Sequence, residues 1–148
     1  MPLHLLHPAA VHFSIALLCV GFALACLDKE AAPGRGPVSA RSETASRLLW
    51  LGTASAWAAL GLGLLAERTA AHVPLAWETM AEHEELAWWT VGIFTVLSVS
   101  KYFERKIKGR WFRPAFLGLW LIGCGVLAAT AFHGGELVFR HGVGVGKE

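Results

Sequence analysis

The chain has 148 residues, 55% of them hydrophobic and 16% charged, with a formal net charge of +2 at pH 7. That length bounds a single domain, 1–148. A charged fraction so far below the roughly 25% of soluble domains cannot cover a surface in water, whereas in lipid it has no need to. The absence of a basic stripe interleaved with aromatics argues against nucleic acid as a partner.

Three cysteines, Cys19, Cys26 and Cys124, show no Cys-x-x-Cys spacing. This argues against a disulfide framework, zinc-ribbon chemistry and covalent c-type haem attachment. Each reads as a small apolar packing residue. The N-terminus lacks the basic n-region of a signal peptide and leads into a run long enough to span, so it reads as a retained membrane helix.

The first apolar run covers about 8–27, with Pro8 at the first helical position. A polar loop follows over 28–47, whose centre, Pro33-Gly34-Arg35-Gly36-Pro37, cannot hold a regular helix. The second run covers about 48–66. The connection over 67–85 is broken by Pro74, and its acidic part, 77–85, reads as an extension of the third helix or a short interfacial helix. The third run covers about 86–103, and a short basic loop follows over 101–113. The fourth covers about 112–135. Each run is close to the roughly 20 residues that cross a hydrocarbon core.

Ten of the thirteen basic residues lie in the first and third loops: Lys29, Arg35, Arg41 and Arg47, then Lys101, Arg105, Lys106, Lys108, Arg110 and Arg113. The positive-inside rule puts both loops in the cytoplasm and both termini outside. Trp50 and Trp111 then lie at the inner boundary, and Trp88 and Trp89 at the outer one, as interfacial belt residues do. Glycines in the second and fourth runs allow close helix approach. Short loops make sequence neighbours antiparallel neighbours. The expectation is an all-α, four-helix up-down-up-down bundle in a bacterial inner membrane, with the first and third helices diagonally opposed.

All seven histidines, His4, His7, His12, His72, His83, His133 and His141, fall on the outer side of that arrangement. Imidazole ligates haem iron, copper, zinc and non-haem iron, and bundles build cofactor sites from residues on different helices. His12 stands inside the apolar run, where a polar side chain marks a functional site unless it snorkels or bonds a neighbouring helix. With His83 it forms the expected diagonal pair. His133 and His7 or His141 supply a second set. The glutamates beside His83 can orient an imidazole, or simply begin an acidic helix. His7 reads equally well as a cap or rim residue, and His4 and His72 as solvated ones. The Gly134-Gly135 pair permits a bend or the approach of a flat ligand. The tail containing His141 either folds over the bundle mouth or frays.

The segments His7-Pro8, Val11-His12-Phe13-Ser14-Ile15-Ala16 and Gly134-Gly135-Glu136-Leu137-Val138-Phe139-Arg140-His141-Gly142-Val143-Gly144-Val145 resemble the motifs at either end of the domain of unknown function 2231 family of small bacterial membrane proteins. His83 matches that family's third-helix histidine. Ser14 stands where the family has proline, Phe139 where it has tyrosine, and His133 where histidine is not usual. The family name carries no activity. Relatives occur beside, or fused to, c-type cytochrome modules, which implies respiratory electron transfer and a c-type cytochrome or respiratory complex as partner.

Three functions are therefore carried forward. One is a b-type cytochrome-like electron carrier, with haem b near the periplasmic face and ligands drawn from His7, His12, His83, His133 and His141. Another is a copper, zinc or iron site built from His7, His12, His83 and His141, with Glu84 or Glu136 nearby. The third is a cofactor-free scaffold or interaction subunit. A carrier or binding protein is favoured over a catalyst, because two axial histidines saturate haem iron. Tryptophan- and glycine-rich faces allow a homodimer.

Overall fold

The computed structural model describes residues 6–28, 39–69, 73–104 and 111–143. His4, His72, Lys29, Arg35, the basic residues of 105–110 and the tail beyond Val143 lie outside these. The fold is all-α, with helices α1 (Leu6–Leu27), α2 (Ala40–Thr69), α3 (Trp77–Tyr102) and α4 (Phe112–Phe139) and a 3-10 turn at Pro74–Ala76. No strand occurs among the described residues.

The helices outrun the apolar segments, because local hydrogen bonding continues where hydropathy stops. α2 begins well before residue 48. Ser39 Oγ accepts from the Ser42 backbone N–H at 3.0 Å, an N-cap that satisfies one orphan donor. Arg47 and Glu43 pair one turn apart on the same exposed stretch. The acidic 77–85 stretch is the opening of α3 itself. α4 continues through Gly134-Gly135 to Phe139, so the pair does not end it. The helix closes later. The backbone N–H groups of His141, Gly142 and Val143 return to the carbonyls of Glu136, Val138 and Leu137, and Gly142 takes φ 67°, the left-handed conformation that glycine adopts at least cost.

α1 packs chiefly on α2 and α3 on α4, while α2–α3 and α1–α4 contacts close the ring. Along these contacts the chain direction alternates. His7 at the start of α1 meets Gly63 near the end of α2, and Leu18 meets Gly52. Trp50 bonds the Ser98 carbonyl, and Thr90 bonds Thr130. Arg113, at the start of α4, donates to the Ala25 and Asp28 carbonyls at the end of α1. This contact fastens the bundle at the end opposite His7.

The interior is Leu18, Leu49, Phe94, Leu97, Trp120 and Leu127. Three inter-helix hydroxyl pairs join it: Ser14–Ser55 at 3.1 Å, Thr53–Ser98 at 2.9 Å and Thr90–Thr130 at 3.0 Å. Such pairs act as polar glue between membrane helices. The outside is apolar. Phe13, Trp89, Ile122 and Phe132 are each about 60% exposed or more, a surface suited to lipid and not to water. Cys19 and Cys26 lie on this outer face and not in the packing interior, and Cys124 is half-buried. All three are free thiols.

Among the described residues, three helices are long and apolar enough to cross a membrane, at Leu6–Leu27, Ala40–Arg68 and Phe112–Phe139. α3 is not among them. Glu78, Glu82, Glu84 and Glu85 occupy its first turns, which leaves only 86–102 as its apolar part.

A histidine layer at one end of the bundle

The interior face of α1 decides which histidine enters the bundle. Ser14, Leu18 and Gly21 are its buried residues. His7 lies seven residues before Ser14, two helical turns back on the same face. His12 lies five residues after His7, about 140° around the helix, and joins the exposed side. Its Nδ1–H donates to its own helix, at the Pro8 carbonyl, 2.6 Å away. The expected diagonal pair of His12 with His83 is therefore replaced by His7 with His83. The ring centroids of these two are 6.2 Å apart, with planes at 90°.

Each inner ring is held by the next helix. His7 Nδ1 lies 2.8 Å from the Ala59 carbonyl of α2, and His83 Nδ1 lies 2.9 Å from the Thr130 carbonyl of α4. A carbonyl only accepts, so both Nδ1 atoms carry the proton and both Nε2 atoms keep their lone pair. Second-shell acceptors commonly fix metal-ligating histidines in this way. All four helices thus contribute to one layer, two by ligand-type side chains and two by backbone.

His133 lies at the rim. Its Nδ1 is buried without a hydrogen-bond partner, with carboxylate oxygens of Glu82 and Glu136 at 3.6 and 3.5 Å. His141 Nε2 approaches Thr79 Oγ1 at 3.5 Å, spanning the end of α4 and the start of α3. The structure thus gathers His7 and His83 closely, sets His133 beside Glu82, puts His141 at the mouth and leaves His12 outside. Among the described residues, no three His, Cys, Asp or Glu side chains are grouped to hold a metal ion. The expected set of His7, His12, His83 and His141 is therefore not assembled, because His12 faces outward and His141 sits past the helix end.

The sequence marks Gly63 as a close-packing glycine and Gly134 as one that permits a bend, close packing or the approach of a flat ligand, and neither as the seat of an imidazole. A Cβ on either would meet an imidazole, that of His7 or His83. A groove lined by Ala81, Glu84, Glu85, Trp88, Trp89 and Gly92 lies along α3 alone and takes in none of the histidines.

Burial lowers the pKa of His83, which stands one turn before the apolar run. Its bond to the Thr130 carbonyl opposes the shift, and the neighbouring His7 and His133 add to it. The folded protein therefore holds this ring neutral more strongly than the unfolded chain does. The sign follows: its stability contribution is complete above the unfolded value of about 6.5 and is lost as pH falls through the lower folded one. Thermal unfolding in detergent should shift to lower temperature between pH 7.5 and 5.5, and His83→Gln should flatten that slope. An unchanged slope in the variant would refute this source.

The family model for a predicted membrane protein (DUF2231) matches residues 3–147. No curated protein and no solved structure matches the chain. Covered over nearly its whole length by that model, the chain belongs to the DUF2231 family of predicted membrane proteins.

Proposed function

We propose that this protein is a membrane-embedded, b-type cytochrome-like electron carrier whose haem b is ligated by His7 and His83. One observation carries the reading: two Nδ1-anchored imidazoles on diagonal helices, with centroids 6.2 Å apart. Two imidazoles on opposite sides of one metal need about that span, from two nitrogen–metal bonds of about 2.0–2.1 Å plus roughly 1.1 Å from nitrogen to ring centre on each side. A zinc or copper ion with two protein donors would be left short of ligands. A porphyrin brings four nitrogens of its own and asks for two. The set of His7 and His83 therefore favours haem over a bare ion. The group, when bound, would supply one-electron redox chemistry, and His7 and His83 are the residues that would hold it.

The orientation assigned to this reading is both termini periplasmic in a bacterial inner membrane, with α3 as the fourth crossing. Arg47, Lys101 and Arg113 lie at the end opposite the histidines, as the positive-inside rule asks. A c-type cytochrome or respiratory complex as electron partner rests on the family resemblance alone.

The test is absorption spectroscopy on protein expressed with haem precursor and purified in detergent. A Soret band, and on dithionite reduction the narrow band of low-spin haem b, is expected at one haem per chain. A haem-supplied preparation without a Soret band overturns the reading and leaves a scaffold or interaction subunit.

A further inference from the structure

We infer that Gly63 and Gly134 are positioning residues that hold the His7 and His83 rings crossed, so that a haem iron between them has perpendicular axial imidazoles. This rests on the haem reading above.

The same device occurs twice. On α2, His7 donates to the Ala59 carbonyl, and the glycine is Gly63, four residues on. On α4, His83 donates to the Thr130 carbonyl, and the glycine is Gly134, again four residues on. In a helix the carbonyl of residue i points at residue i+4, so the side chain at i+4 guards the approach to that carbonyl. Without a Cβ there, an imidazole from the neighbouring helix can lie against the backbone and reach the oxygen.

The space is tight. A Cβ on Gly63 would stand 3.0 Å from His7 Cε1 and 3.2 Å from its Nδ1. On Gly134 it would stand 3.1 Å from His83 Cε1 and 3.5 Å from its Nδ1. Both Cε1 distances and the one to His7 Nδ1 are shorter than the roughly 3.5–4.0 Å of ordinary contacts, which the one to His83 Nδ1 just reaches. The bond at Nδ1 restricts each ring's tilt and the bare backbone fixes its depth. Together they give planes at 90°.

Ring orientation has an electronic consequence. The π orbital of an imidazole raises the one iron d orbital that lies across its plane. Parallel rings raise the same orbital and split the pair. Crossed rings raise both alike and leave them nearly degenerate. Low-spin ferric iron then gives a single, strongly anisotropic EPR feature at large g in place of a three-line rhombic spectrum.

The protein carries its own controls. A Cβ on Gly61 or Gly135 would meet nothing within 4 Å, so G61A and G135A test alanine in the same helices without touching a ring. EPR of oxidised holoprotein in detergent should show the large-g feature in wild type, G61A and G135A. G63A and G134A should turn it rhombic, or lose haem while keeping wild-type helicity and elution volume. A rhombic wild-type spectrum overturns the inference, and so does an unchanged large-g signal in G63A or G134A at full haem content. If G63A or G134A fails to fold, the wild-type spectrum still decides. No Soret band in wild type would instead sink the haem reading itself.

Discussion

Alanine at His7 or His83, each alone, should abolish haem retention, while alanine at His12 should leave haem per chain near wild type. The contrast is sharp because His12 is the more conspicuous residue in the sequence. It sits deeper in the apolar run, and a buried polar side chain there is costly unless it has a role. In the fold it is exposed and bonds the Pro8 carbonyl of its own helix, so it neither enters the bundle nor bonds a neighbouring helix. His7 and His83 each donate Nδ1–H to a neighbouring helix and keep Nε2 free to ligate. Losing a ligand should cost more than the roughly 10–100-fold that follows loss of a ligand's supporting hydrogen bond. Pyridine haemochrome assay on detergent-purified protein reads the ratio directly. His133→Ala and His141→Ala should keep most of the haem, since neither ring stands between the two inner ones. Haem lost in His12→Ala and kept in His7→Ala would reverse the assignment.

Four helices, their rough positions and the gathering of the described histidines at one end were legible in the sequence, because hydropathy and charge report directly on what lipid tolerates. Hydropathy says less about where helices stop. α2 starts at Ala40 on the Ser39 cap, and α4 runs through Gly134-Gly135 to Phe139. Both depend on hydrogen bonds of single residues and not on an average over a window. The choice between His7 and His12 needed helical phase. Ser14, Leu18 and Gly21 give that phase once they are known to be buried, and nothing in an almost uniformly apolar helix distinguishes its faces beforehand. The cradle glycines were hidden for a related reason. Gly61 and Gly63 look alike in the sequence, and only the neighbour across the interface separates them: His7 lies against one and nothing against the other.

Trp120→Ala should destabilise the bundle by about 3–5 kcal/mol, the usual cost of removing a buried aromatic side chain. Inside a bilayer no hydrophobic effect draws helices together, so van der Waals fit and polar glue hold them. Trp120 supplies both. It is 1% exposed, packs edge-on against Phe116 and tilted against Phe22, and donates its indole N–H to the Leu18 carbonyl at 3.2 Å. Gly21 is shaped to receive it, since a Cβ there would stand 3.1 Å from the indole. The contacts with Phe22, Leu18 and Gly21 join α4 to α1, the sparsest of the four neighbour pairings, so little else would close the void. Leu121→Ala, next along α4 but 59% exposed, should stay within about 0.5 kcal/mol. Denaturant titration in mixed micelles, followed by circular dichroism, measures both. Because α1 carries His7 and α4 backs His83, loosening this seam should also weaken haem retention in Trp120→Ala. Equal stability of the two variants would remove Trp120 as the contact that ties the first helix to the last.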